Sequence, residues 1–167
     1  LRVAMDLFHS SFNSGWGIRT VAQGEARYNP MSYHNGSIWP HDNALIAAGL
    51  ARYGHTSGIS LLFQALMRAT GYMDHRRPPE LFCGFRQRKG RGPILYPAAC
   101  APQAWASGAP FQLLQSMLGL TFDYAARRIE LINPFVPAFV GDITIRNLRM
   151  GEASADFVVR QERGAMS

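Results

Sequence analysis

The sequence predicts a mainly α body followed by a small antiparallel β appendage. Three observations carry this. Ile59, Leu62, Phe63, Leu66, Met67 and Thr70 fall three, four, seven and eight residues apart, the spacing of one helix face. A second helical pattern precedes them across the short Gly54-to-Gly58 connection, which makes the two an antiparallel hairpin. After Gly119 the apolar period drops to two, and helices followed by strands describe an α body with a β addition.

Taken in order, Leu1 to Phe8 reads as the end of a helix, and the residues up to about 40 form a loop-rich stretch punctuated by Gly15, Trp16, Gly17, Pro30 and Gly36. A helix starts near Asp42, with Leu45, Ala48, Gly49 and Arg52 as its inner side and Tyr53-Gly54 as its stop. The next helix ends at Gly71. From Asp74 to Pro102 the chain is irregular but rich in rings and prolines, and ordered loops of that length are usually functional. A third helix runs from Pro102, placed in its first turn, to Gly119. Its apolar residues fall on several faces, so burial on more than one side is expected.

Thr121–Ala125 and Arg128–Ile132 form a hairpin through Ala126-Arg127. Asp142–Met150 alternates as a strand, with Ile143, Ile145 and Leu148 inward, and Phe157-Val158-Val159 gives the last one. The expected organisation is therefore 1–119 helical body, 120–162 β appendage and 163–167 frayed tail.

Composition limits the function. At 167 residues, 47% of them hydrophobic and 17% charged, the chain suits one globular domain with a real core. The charge of +6 would admit nucleic acid. Its densest run, Arg86 to Arg91, has only Phe85 as an aromatic neighbour, however, and reads as a solvated loop or a phosphate contact rather than a nucleic-acid surface. No apolar run reaches the ~18 residues of a membrane span, and the N-terminus has no signal-peptide pattern. Cys83 and Cys100 lack metal-ligand spacing; both are expected reduced and buried, as in a cytoplasmic protein. Neither a metal nor a cofactor fingerprint is present. The start at Leu1-Arg2-Val3, without Met, predicts a piece of a longer polypeptide.

Two segments carry chemistry. Tyr33-His34-Asn35-Gly36-Ser37-Ile38-Trp39-Pro40-His41-Asp42-Asn43 combines rings, imidazoles, amides and a carboxylate in an irregular loop. A sugar needs that pairing: apolar faces for its C–H patches and directional donors and acceptors for its hydroxyls. Asp42 reads either as a member of that surface or as a carboxylate satisfying a helix N-terminus. In the second segment, Pro78-Pro79-Glu80-Leu81-Phe82-Cys83-Gly84-Phe85, the prolines hold the backbone and apolar neighbours reduce solvation of Glu80. That setting suits a general acid or base; the competing reading is an ion pair with Arg76, Arg77 or Arg86.

Ser14-Gly15-Trp16-Gly17-Ile18-Arg19-Thr20, Tyr28-Asn29-Pro30 running into the Tyr33–Asn43 loop, Pro79 to Phe85, Tyr96-Pro97, Ala101 to Trp105 and Asn147 to Gly151 resemble, in order, the bacterial amylo-α-1,6-glucosidase (glycogen-debranching-enzyme-like) family. The resemblance implies the C-terminal part of an (α/α)6 toroid of helical hairpins, with the active site at the funnel end. It implies inverting hydrolysis of α-glucosidic bonds, with Glu80 as the general base.

Inversion also needs an acid, about 6.5–9.5 Å from the base. The resemblance puts it in a Gly-Arg-Asp motif on an earlier hairpin, and no such motif occurs in these residues. The missing N-terminal part of the polypeptide is expected to supply it. Tyr33, His34, Asn35, Trp39 and His41 would line the glucose subsite, Trp39 by stacking and the others by hydrogen bonds. Asp42 would orient the loop or bind a hydroxyl, and Gln103 and Trp105 would support the funnel from outside. The expected partner is an α-glucan, with α-1,6 branch points as the target. Pro78 departs from the family, which usually has Leu there, whereas Arg77 matches it. The alternatives are a fragment that binds carbohydrate without cleaving it, or trehalase, phosphorylase or mannosidase chemistry on a related toroid.

Overall fold

The computed structural model describes residues 2–160; the expected frayed tail lies outside them. The chain divides into two compact units, Leu1–Leu114 and Gln115–Ser167, each described by itself. Among the described residues there are four α-helices, α1 (Arg2–Phe8), α2 (Pro40–Arg52), α3 (Thr56–Thr70) and α4 (Ala104–Leu118), with a 3₁₀ turn at Asp74–Arg76. Two separate two-stranded sheets follow, β1 (Leu120–Asp123) with β2 (Arg128–Leu131), and β3 (Ile143–Met150) with β4 (Ala153–Val159). A helical segment with a small antiparallel β addition is therefore the observed architecture.

In the first unit α2 and α3 pack together across a three-residue connection, Tyr53–His55. Ile59, Leu62, Ala65, Leu66 and Ala69 of α3 are buried, and each large aliphatic side chain so buried contributes about 1.5–3 kcal/mol. Gly58 lets this helix approach its neighbours: a Cβ there would press on the Phe8 ring and on Leu50.

The inner face of α2 differs from expectation. Asn43, Ala44, Ala47 and Leu50 are buried, while Leu45 is 64% exposed. A template that counts apolar residues cannot assign an asparagine to the core, and the buried Asn43 turns the helix by about one residue, or ~100°.

α4 starts at Ala104, two residues after Pro102. Ala106, Ala109, Leu113, Ser116, Met117 and Leu118 are buried, so its last turn is covered on more than one side as expected, while Trp105 and Phe111 are exposed.

The β unit follows its sequence pattern. β1 and β2 pair Phe122 with Ile129 and Leu120 with Leu131, through a turn in which Arg127 has φ 50°. In β3 the inward residues Ile145 and Leu148 are three apart, not two. The register shifts between them, where Asn147 takes φ 54° and its N–H donates to the Asp156 carboxylate at 2.6 Å. This is a bulge, in which one extra residue keeps both side chains on the same face.

Candidate functional site

Four extended segments from distant parts of the chain meet as single-residue antiparallel bridges: Arg19 with Ile38, Ile38 with Phe82, and Phe82 with Leu95. The middle bridge sets the Tyr33–Asn43 loop beside the Glu80 loop. Both of its residues are essentially excluded from solvent.

The backbones also touch nearby, since a Cβ on Gly84 would run into the Gly36 carbonyl. Arg19, 2% exposed, ties these pieces together. Its Nε donates to the Gly84 carbonyl at 2.6 Å and its Nη1 to the carbonyls of Ser10 and Ser11 at 3.2 and 3.0 Å. Its guanidinium lies over the Tyr28 ring, and Nη2 has no partner. Burial among these neutral groups lowers the pKa of Arg19 from its ordinary value.

The ring-lined loop is held by small polar groups. Ser37 Oγ donates to the Tyr33 carbonyl at 2.6 Å and accepts from Trp39 Nε1 at 2.9 Å. Thr20 Oγ1 donates to the His34 carbonyl at 2.6 Å and accepts from the Gly36 N–H at 2.9 Å. Trp39 is the extended residue preceding α2, and Pro40 opens the helix, a position where its missing N–H costs nothing. Asn43 then acts as a clamp: its Oδ1 accepts from Ile18 N at 2.7 Å, and its Nδ2 donates to the carbonyls of Ile18 and Trp39 at 3.1 and 2.9 Å.

Side-chain rings form a continuous row. Tyr33 stands edge-on to His34, Trp39 and Tyr96, with centroids 4.7, 5.0 and 5.6 Å away. His34 and Trp39 are parallel at 5.6 Å. His41 is edge-on to Trp39 and stacked on Trp105 at 4.2 Å. Trp39 is only 7% exposed and so offers little face for the sugar stacking expected of it. Trp105, 54% exposed, is the indole that solvent can reach, and it stands against the row rather than behind it.

Glu80 is 8% exposed. Its N–H donates to the Cys100 carbonyl at 2.8 Å, and its Oε2 accepts from the Cys100 N–H at 3.4 Å. Interaction with the Glu80 carboxylate, with burial beside it, pushes the Tyr33 pKa up to about 12. Among the described residues no cation pairs with Glu80. Arg76, Arg77 and Arg86 are exposed, so the ion-pair reading of this carboxylate is not realised.

Asp42 lies in the first turn of α2, but no side chain caps that helix. Its carboxylate meets His41 Nε2 at 3.3 Å instead, while the buried His41 Nδ1 has no partner. Gln103 caps α4: its carbonyl accepts from Ser107 N at 2.9 Å, and its own N–H reaches the Pro78 carbonyl at 3.4 Å, linking the helix start to the Glu80 loop. The Asn35 side chain is exposed at the loop tip. The expectation for the cysteines holds for Cys83, which is buried, and fails for Cys100, which is exposed; both are free thiols.

Several contributors lay outside the expected set. Tyr96 was flagged only through its Tyr-Pro pair. Arg19, Ser37 and Asn43 sit inside the flagged motifs, but most of their partners are backbone groups that spacing cannot reveal. The Cys100 amide contributes through its main chain, which no side-chain pattern encodes. The helical unit also has a groove of about 540 Å³ lined by Val3, Leu7, Ile46, Leu50, Tyr53 and His55 among others. It contains no carboxylate, so the ring row beside Glu80 is the better candidate for hydrolytic chemistry.

No curated protein matches the chain. A family model for the mannosylglycerate hydrolase MGH1-like glycoside hydrolase domain matches residues 2–85, a span that includes the ring-lined loop, the α2–α3 pair and Glu80. On that match, which covers half of the sequence, the chain belongs to the mannosylglycerate hydrolase MGH1-like glycoside hydrolase domain family.

Proposed function

We propose that this chain carries the base half of an inverting glycosidase site acting on α-glucosidic bonds, with α-1,6 branch points of glycogen-like glucans as substrate. One observation carries the reading: Glu80 is a buried carboxylate with no cationic partner among the described residues, fixed at its backbone and set beside a row of rings. A carboxylate neutralised by arginine would be a poor base, and a freely solvated one would not be held against an anomeric carbon.

In the proposed reaction Glu80 takes a proton from a water as that water attacks C1. An acid from outside these residues protonates the leaving oxygen, and configuration inverts. Trp105 stacks on the sugar, while His34, Asn35, His41 and Asp42 meet its hydroxyls.

The test is Glu80→Gln in the intact protein, assayed on panose. We expect turnover to fall by about 10²–10⁴-fold, the usual contribution of a general base, with panose binding retained. Unchanged turnover would sink the assignment. The family description names mannosylglycerate, which favours a second reading, mannosidase-type chemistry at the same carboxylate. Turnover of mannosylglycerate but not panose would select it.

A further inference from the structure

We propose that the cavity just beyond the end of α3 is a second carbohydrate-binding site, which takes one pyranose ring of a glycan. The proposal goes beyond the reaction assigned to Glu80 and holds whichever bond that carboxylate hydrolyses.

The cavity has a volume of about 160 Å³ and is lined by Tyr72, Asp74, His75, Arg77, Leu95 and Pro102 among others. It is separate from the ring row, none of whose members lines it. Leu95 is bridged to Phe82 in extended chain, and the next residue, Tyr96, belongs to the ring row. Consecutive side chains of an extended segment point to opposite sides, so the cavity lies across that segment from the ring row.

Its chemistry is divided as a sugar requires. Tyr72 and Leu95 are half-exposed and, with Pro102, offer apolar surface to C–H patches. The Asp74 carboxylate accepts, the Arg77 guanidinium donates, and the His75 imidazole can do either. Among the described residues none of these three side chains has an ion-pair or hydrogen-bond partner, so all are free to meet hydroxyls. A simple anion would suit Arg77 but face the Asp74 charge, and an apolar ligand would leave all three unpaired. A neutral polyol uses the acceptor and the donors together.

The walls are held in place. His75 and Arg76 are consecutive non-glycine residues at φ 51° and 55°, a left-handed conformation that L side chains disfavour. The turn is closed by Arg76 N–H to the Met73 carbonyl at 3.0 Å and Arg77 N–H to the Asp74 carbonyl at 3.1 Å. It brings Asp74 and Arg77 to one cavity, and strained turns of this kind concentrate at ligand clamps. Tyr72 is braced as well. Trp16 stands edge-on to it at 5.8 Å, and Gly92 lies so near that a Cβ would press on the Tyr72 ring.

Met73 also lines the cavity, so its methyl group reports occupancy. In the intact protein with isotope-labelled methionine methyls, D-glucose or D-mannose should shift the Met73 resonance, identified through Met73→Leu. The shift should saturate at about 1–10 mM, the range of one ring held by a few groups. Asp74→Ala and Arg77→Ala, both at exposed positions, should each weaken that binding by about tenfold or more. Trp105→Ala should leave it unchanged. A Met73 resonance that moves with neither sugar would overturn the proposal, as would a shift that survives both cavity substitutions. Loss of the shift in Trp105→Ala would put the sugar in the ring row and overturn it too. No arm depends on turnover, so failure of the Glu80 assignment and failure of this site are read separately.

Discussion

Ile38 and Phe82 exchange both backbone hydrogen bonds, Ile38 N to Phe82 O at 2.9 Å and Phe82 N to Ile38 O at 3.0 Å. That single pair joins segments 44 positions apart and puts the ring row next to the carboxylate. Everything proposed for the site depends on how tightly the two loops close around it.

Gly84 should therefore be intolerant of substitution. Gly84→Ala drives a methyl into the Gly36 carbonyl, and backbone pressed on backbone has little room to yield. We expect a loss of about 3 kcal/mol in urea unfolding, the upper part of the usual overpacking range, together with loss of activity. Gly108→Ala on α4, where a Cβ meets nothing within 4 Å, should instead gain up to about 1 kcal/mol from helix propensity. Equal effects of the two substitutions would mean that the loops are not in contact.

The two tryptophans should separate stability from binding. Trp39→Ala empties a buried ring site and should cost about 3–5 kcal/mol. Trp105→Ala removes a half-exposed ring, so we expect little change in thermal midpoint. Its KM for panose should nevertheless rise by about 3–10-fold, the worth of one stacking contact of roughly 0.5–1.5 kcal/mol. The reverse pattern, with Trp39→Ala well folded but weak in binding, would restore Trp39 as the stacking face.

Thiol chemistry should distinguish the cysteines. Burial pushes the Cys83 thiol above its ordinary value, so at any given pH less of it is thiolate, whereas Cys100 is exposed. Ellman's reagent at neutral pH should find one fast thiol and release the second only on unfolding. The sign for stability follows. As pH rises past the ordinary thiol value the unfolded chain loses the Cys83 proton first, so a contribution complete below that pH is lost above it. Two fast thiols in the folded protein would contradict the burial of Cys83.

Much of this was legible in the sequence because it depends on periodicity or on composition. The face of α3 is apolar every third or fourth residue, and the strands after Gly119 alternate, so both follow from local geometry alone. The loop at 33–43 announced itself by mixing rings with polar groups, and Glu80 by lying between prolines and apolar residues. The face of α2 was misread because its inward residue is Asn43, which belongs in the core only through bonds to Ile18 and Trp39. The different exposures of Trp39 and Trp105 were hidden for a related reason. Two indoles look alike in a sequence, and only their neighbours decide which one keeps a face open to solvent.

The sequence by itself determined which residues could do chemistry, because chemical type is a property of each side chain. Tertiary structure alone decided which of them meet. Single-residue bridges among Arg19, Ile38, Phe82 and Leu95 are too short to leave a strand pattern, and a backbone contact such as Gly36 with Gly84 has no side chain to betray it. The Tyr33–Asn43 loop lies beside the Glu80 loop because of those bridges, which no local period encodes.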